Sequence, residues 1–313
     1  MRYDGVMNSP IPVFVNRSGG AASKLGDALE AKLSEAFAAA GLVARVRAIE
    51  GRDIAEAVGK AAGHGLVAVG GGDGTIGCAA GALVDAGSEA ALAILPLGTR
   101  NHLAGELGIP SDLAQVARLI AAGHTRRIDL GRVNGRAFVN NASIGFYPDM
   151  VESRDAARAR RGLPKWLANL PAAWVVLGRA RHHRLRLRLE GDDKMVRTPM
   201  LFVGNNRYEL TLGRVGRRAA LDDGKLSVYA VERGTPLRLA ALAARAMIGR
   251  ADPERDFAAL ADVAAFEVEA HARSIRVAID GEVVRLKSPL RFEVQAKALK
   301  VIGPPQDDVK TTG

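Results

Sequence analysis

Gly70-Gly71-Gly72-Asp73-Gly74-Thr75 sets four glycines around one carboxylate and one hydroxyl, between the apolar run Leu66 to Val69 and an alanine-rich helical stretch. Glycine loses more conformational freedom on folding than any other residue, so four in one loop are costly for a plain turn. What they permit is close approach of backbone to a phosphate, beside the unpaired N–H groups and partial positive charge of a helix amino terminus. Asp73 can bind a phosphate-bridging cation directly or through water, and Thr75 can hydrogen-bond a phosphate oxygen. Two further loops also close apolar runs. Asn16-Arg17-Ser18-Gly19-Gly20 follows Ile11 to Val15, and Pro96-Leu97-Gly98-Thr99-Arg100-Asn101 follows Ala91 to Leu95. Alone, the first is weak evidence and reads more readily as a turn that feeds a helix. In the third, Thr99 and Asn101 can meet ribose or phosphate, and the three together argue for a nucleotide.

The elements that must hold these loops alternate. Leu25, Leu29, Leu33 and Phe37 recur every four residues, Leu42 to Ile49 alternates as a strand, and Ile54, Ala57, Val58 and Ala61 mark a second helix. Helical patterns after the third loop run to Ala122. Alternating strands and helices predict a parallel sheet covered by helices, in which ligands bind at the carboxyl ends of strands, where all three loops fall. From about Arg126 the pattern changes. Arg127 to Val133, Asn134-Gly135 and Arg136 to Ala142 read as a hairpin, because Asn-Gly supplies the two positive-φ positions of a type I′ turn. Arg184 to Glu190, Thr198 to Val203, Leu226 to Val231, Phe266 to Ala270, Ile275 to Ile279 and Glu282 to Leu286 follow as strands. The predicted class is therefore α/β followed by a mostly antiparallel β domain, interrupted by helical segments at Val151 to Arg181 and Leu237 to Ile248.

Composition narrows the function. The chain has 313 residues, 48% hydrophobic and 25% charged, which excludes disorder and favours two domains over one. The longest uncharged apolar stretch, Trp166 to Gly178, is 13 residues and contains Pro171, against about 20 for a bilayer-crossing helix. Met1 to Ser9 lacks a basic cluster followed by an apolar block, so no secretion signal is expected. A single cysteine, Cys78, agrees with a reducing compartment, and the expected location is cytoplasmic. A net charge of +10 predicts a partner that carries negative charge. Nucleic acid is disfavoured, because aromatics are only 4% and never interleave with basic residues as a base-stacking surface requires. Neither G-x-x-x-x-G-K-[ST] nor G-x-G-x-x-G after the first strand occurs, which disfavours P-loop and Rossmann sites.

The three loops, with the third read on through His102-Leu103-Ala104, resemble those of the diacylglycerol kinase catalytic domain family, which includes sphingosine kinases, ceramide kinases and bacterial YegS-like lipid kinases. The likeness continues through Asp129-Leu130-Gly131, Asn140 to Phe146, Gly204-Asn205, Leu221-Asp222-Asp223-Gly224-Lys225-Leu226 and Asp280-Gly281-Glu282, covering about residues 11–302. It implies an amino-terminal α/β domain like that of NAD kinases and phosphofructokinases, and a carboxy-terminal antiparallel β-sandwich. The last strand region would return to the first domain, giving 1–127 with 287–303, then 128–286, and a tail at 304–313. ATP and lipid headgroup would meet in a cleft between the domains.

The same resemblance assigns roles. Asn16, Ser18, Gly19, Gly71, Gly72, Asp73, Gly74, Thr75, Thr99 and Asn101 would cradle ATP, with Asp73 close to the catalytic Mg2+. Glu282 would be the general base with Asp280 as its neighbour, although Asp280-Gly281 by itself reads as a plain hairpin turn. Asp129 would help hold magnesium through water, Asp222 and Asp223 would form a second Mg2+ site, and Asp149 would contact the lipid headgroup. Three features depart from the family. Arg17 stands where proline is usual, His102 stands where many bacterial members carry an aspartate of the magnesium network, and the segment after Asn205 has fewer glycines. Neutral histidine is a poor Mg2+ ligand.

The implied activity is ATP-dependent, Mg2+-requiring transfer of phosphate to a lipid hydroxyl. The competing readings are a soluble-substrate kinase of the NAD kinase type and a catalytically silent lipid-binding protein of the same fold. Residues 151–190 combine nine arginines with Trp166, Leu167, Leu170, Trp174, Val175 and Leu177, a composition suited equally to an anionic membrane surface and to a core-facing helix with solvated arginines. A lipid substrate at an anionic membrane, with peripheral association, is the expected partner, and a homo-oligomer is left open.

Overall fold

The structure, a computed structural model, describes residues 9–18, 20, 22, 26, 28–145, 182–189, 191–208, 218, 220–231 and 257–305. Two compact units emerge, one from 1–130, 137–140 and 295–313, the other from 131–136 and 141–294.

In the first unit β1 (Ile11–Asn16) is followed by α1 (Ala28–Ala39), β2 (Ala44–Ile49), α2 (Ile54–Lys60), β3 (Leu66–Gly71), α3 (Asp73–Asp85), β4 (Ala91–Pro96), α4 (His102–Glu106) and α5 (Leu113–Ala122). The strands pair in parallel in the order β2-β1-β3-β4. All six residues of β3 and the first five of β4 are buried, as a sheet covered on both faces requires. The four-residue repeat read from sequence is the buried stripe Leu29, Leu33 and Phe37 of α1. That helix packs with α5, and α2 packs with α3. Helix α5 has clean signals at both ends: Asp112 accepts a hydrogen bond from the Gln115 N–H at 2.9 Å, and Gly123 closes it at φ 69°.

The remaining strands are β5 (Thr125–Val133), β6 (Arg136–Phe138), β7 (Asn141–Gly145), β8 (His183–Leu189), β9 (Asp192–Thr198), β10 (Met200–Asn205), β11 (Leu226–Val231), β12 (Phe257–Val263), β13 (Ala265–Ala270), β14 (Ser274–Ile279), β15 (Glu282–Lys287) and β16 (Leu290–Ile302). In the second unit one antiparallel sheet runs β12-β11-β10-β7-β14-β15, and β13 lies between β8 and β16, with β9 beyond β8. Phe266 and Phe292 stack with centroids 4.8 Å apart across the β13–β16 pair. Strand β16 changes unit along its length: its start pairs with β13, while Val301 pairs in parallel with Leu92 of β4. The α/β plus antiparallel β class is thus observed.

Arg136 to Ala142 is not one strand. It divides because β6 pairs with β5 whereas β7 pairs with β10 and β14, the buried Asn140 lying between them. Strand β9 was not expected, since its Asp192, Asp193, Lys194 and Arg197 leave no apolar alternation to read; such charges are typical of a sheet edge. The segments Val151 to Arg181 and Leu237 to Ile248 lie outside the described residues, as does 306–313. Among the described residues no helix is long and apolar enough to cross a membrane.

Candidate active site

At the carboxyl ends of β1, β3 and β4 the three loops are bound to one another by side chains. Asn16 Nδ2 donates to Thr75 Oγ1 at 3.0 Å, joining the first loop to the second, and Asn16 Oδ1 accepts the Ser18 N–H at 3.1 Å. Thr75 is buried, and a Cβ added to Gly71 would lie 2.6 Å from its Cβ. Gly72 and Gly98 meet backbone to backbone: a Cβ on Gly98 would fall 2.3 Å from Gly72 Cα. A Cβ on Gly20 would lie 3.1 Å from Thr99 Oγ1, so the first loop also touches the third.

Asp73 is the chief clamp. Its Oδ2 accepts the His102 N–H and its Oδ1 the Leu103 N–H, each at 3.1 Å, so one carboxylate satisfies two open donors at the start of α4. Asn101 has left-handed backbone at φ 52°, and its amide is turned into its own loop. Nδ2 donates to Pro96 O at 3.0 Å and Gly98 O at 3.1 Å, while Oδ1 accepts the Gly98 N–H at 2.9 Å. Asn101, expected to meet ribose or phosphate, uses these three bonds to shape the loop. The first-turn N–H donors of α3, from Asp73, Gly74 and Thr75, have no intrahelical acceptor and suit an anion.

Arg17, at the place where the resembled family has proline, is occupied at the sheet edge. It donates through Nη2 to Ala48 O of β2 at 2.7 Å, and its Nε lies 3.6 Å from Glu50 Oε1. Glu50 also accepts from Ser18 Oγ at 3.4 Å, a partner that sequence reasoning missed because it stands 32 residues away.

Of the expected metal ligands, Asp129 is buried and its Oδ1 accepts the Lys297 N–H at 2.7 Å, where Lys297 turns left-handed at φ 51°. Asp222 and Asp223 are exposed, and the Asp223 N–H donates to Oδ1 of the buried Asn206 at 3.1 Å. No group of three or more acidic, histidine or cysteine residues that could hold a metal occurs among the described residues. Mg2+ bound to nucleotide phosphates needs only one or two protein carboxylates, a demand that Asp73 at the phosphate-type loop can meet. His102 contributes its backbone N–H to Asp73 and supplies no acidic side chain there. Gly19 and Asp149 lie outside the described residues.

In the second unit Asp280 and Gly281 form the two-residue turn between β14 and β15, with φ 46° and 87°. Asp280 is tied to the start of β7 twice: its N–H donates to Asn141 O at 3.0 Å and its Oδ1 accepts the Asn141 N–H at 3.1 Å. Glu282 follows, paired across the hairpin with Ile279. Glu282 is exposed, and partial desolvation where the hairpin meets neighbouring protein still holds its pKa above the usual value, against the opposing pull of Arg136. A carboxyl group so shifted is better matched to accepting a proton near neutral pH.

The diacylglycerol kinase catalytic domain family model matches residues 10–133. A Pseudomonas aeruginosa protein described as "Probable lipid kinase YegS-like" is 35% identical over 246 residues, 77% of each chain. A Klebsiella pneumoniae protein of the same description is 52% identical over 81 residues, 26% of this chain and 27% of that one. A solved structure of a diacylglycerol kinase from Bacillus anthracis superposes with a TM-score of 0.66 at 21% identity, covering 95% of this chain and 97% of that one. A second structure from the same organism, described as "A putative diacylglycerol kinase", gives 0.72 at 22% identity, with the same coverage.

Proposed function

This chain belongs to the diacylglycerol kinase catalytic domain family, and from that premise we propose that it transfers the γ-phosphate of ATP to the hydroxyl of a lipid. The observation that carries this reading is the joining of three glycine-containing loops at one sheet end by Asn16 and Asp73, with Asn101 bracing the third loop from within and the amino terminus of α3 left open. Phosphoryl transfer asks the protein mainly to position reactants and to offset charge, and fixed backbone donors do both without reorganising.

In this reading the N–H groups of Asp73, Gly74 and Thr75 receive the phosphates, with Ser18, Gly19, Gly71, Gly72 and Thr99 lining the approach. Asp73 holds α4 in place and stands next to the cation that accompanies ATP. Mg2+, when bound, neutralises phosphate charge. Glu282 takes the proton of the attacking hydroxyl, helped by its raised pKa, and Asp280 fixes the turn that presents it. Asp149 is assigned to the headgroup, Asp129 to water-mediated support of magnesium, and Asp222 with Asp223 to a structural Mg2+ site. The lipid is met at an anionic membrane surface, which the net charge of +10 favours.

The test is transfer from radiolabelled ATP to a panel of diacylglycerol, sphingoid base, ceramide, phosphatidylglycerol and NAD. Labelling of one lipid, lost in Glu282→Gln, is expected. Labelling of NAD alone would replace the lipid with a soluble acceptor, and absence of any label with full folding would leave a silent relative.

A further inference from the structure

Gly204 poses a question that its own backbone does not answer. It lies inside β10, with no left-handed φ, in a position that any residue could adopt. A Cβ placed there, however, would come within 2.6 and 2.7 Å of the Tyr208 ring and 3.0 Å of Asn206 O. The missing side chain is therefore the space in which the Tyr208 ring lies. That ring meets Phe202 edge to face at 5.3 Å, and the Tyr208 backbone bridges to Arg218, whose Nη1 donates to Asn205 O at 2.9 Å.

Directly across the sheet, the register partner of Gly204 is Asn141 of β7. Lying over Gly204, the ring carries its hydroxyl to this neighbour, and Asn141 Nδ2 donates to Tyr208 Oη at 3.3 Å. The Asn141 backbone is the group that Asp280 grips at both ends, through its own N–H and its Oδ1. Tyr208, Asn141 and Asp280 thus form a continuous chain of hydrogen bonds that ends at the turn immediately before Glu282. We infer that Tyr208 is a positioning residue for the Glu282 carboxylate, acting through Asn141 and Asp280, and that Gly204 is glycine to admit its ring.

The consequence for catalysis rests on the proposed role of Glu282 as base; the positioning itself does not. Tyr208→Phe keeps the ring and its contact with Phe202 and removes the acceptor for Asn141, so the packing of the ring is preserved. Gly204→Ala keeps the hydroxyl and displaces the ring. Two unlike substitutions are therefore expected to give one phenotype. The charged groups around Glu282 are Arg136 from β6, Asp280 in its own turn and, further along the hairpin, the cross-strand pair Arg276 and Arg285. Neither substitution alters any of them.

Side-chain carboxyl NMR titration of the full chain without nucleotide reads Glu282 directly. In both variants its midpoint should move away from the wild-type value as the turn that carries it loosens. In the transfer assay kcat should drop about tenfold, a part of the ~10²- to 10⁴-fold that a positioned base supplies, with KM for ATP unchanged. A purely structural role would reduce the amount of folded protein and leave both the Glu282 midpoint and the turnover per folded molecule as in wild type; that result overturns the inference. If Glu282→Gln retains full turnover while the midpoint still moves in Tyr208→Phe, the base assignment fails and the positioning chain stands.

Discussion

Alanine at position 98 tests whether the second and third loops must touch. Its Cβ would lie 2.3 Å from Gly72 Cα, 2.5 Å from Asn101 Oδ1 and 2.9 Å from Gly72 N. Carbon atoms in ordinary contact are at least ~3.5 Å apart, so the two loops must part by roughly 1.2 Å. Two of the three atoms are backbone, which no rotamer change can move aside. Gly98 has no left-handed φ, so the whole cost is contact. Overpacking of this kind costs about 1–3 kcal/mol, and a displacement near ~1 Å in groups that orient a reacting phosphate costs on the order of 10²-fold in rate. Gly98→Ala should therefore fold, lose about 1–3 kcal/mol in urea unfolding, and show weakened uptake of ATP by calorimetry in magnesium buffer. Gly105→Ala is the control. It lies in α4, its Cβ meets nothing within 4 Å, and alanine in a helix gains roughly 0.5–1 kcal/mol over glycine. If Gly98→Ala matches wild type in stability, ATP affinity and turnover, the loops do not act as one unit and do not together form the nucleotide site.

Replacing Glu282 by glutamine should separate stability from activity. Its folded-state pKa is raised, so the folded protein binds the proton more tightly than the unfolded chain; the stability this gives at low pH is lost as pH rises through the folded-state pKa. Glutamine carries no such penalty, so Glu282→Gln should melt above wild type at neutral pH and converge with it below about pH 4; melting curves that coincide at neutral pH would contradict the shift. Asp73→Ala removes both acceptors at the start of α4 and should cost about 1–2 kcal/mol, with Asp73→Asn in between because one oxygen remains; calorimetric unfolding at the wild-type temperature would exclude the clamp. Vesicles with anionic headgroups should pellet the protein, and Trp166→Ala with Trp174→Ala should weaken this; sedimentation unaffected by the double substitution would remove that segment from membrane docking.

Features coded by backbone conformation were legible in the sequence. Asn134-Gly135 and Asp280-Gly281 both form two-residue hairpin turns with positive φ, as Asn-Gly and Asp-Gly predict. Buried strands β3 and β4 and the stripe on α1 were legible from apolar runs and spacing. The roles of Asp73, Asn101 and Arg17 were not, since each depends on where a side chain turns after distant segments meet. The intraloop bonds of Asn101 form only once that loop turns left-handed, which its residue type alone does not announce. Strand β9 escaped because edge protection places charges where an alternating apolar pattern would reveal it. Tyr208 escaped because its partner stands 67 residues earlier.

A common device explains why glycine-rich loops can be rigid here without a core of their own. Asn16 bonds Thr75 across 59 residues, Asp73 bonds His102 across 29, Asp129 bonds Lys297 across 168, and Asp280 bonds Asn141 across 139. In each case a short amide or carboxylate side chain, with one or two rotatable bonds, reaches a distant group. Ordering so short a side chain loses little rotamer freedom compared with a long one, and a bond to an ionised acceptor is stronger than one between neutral groups. Glycine lets the backbones come close enough for those short arms to span the gap, as Gly72 does against Gly98. The two residue types are therefore one device: lengthening the arm, Asp73→Glu for instance, should disturb the loops nearly as much as filling the glycine, although it preserves the charge.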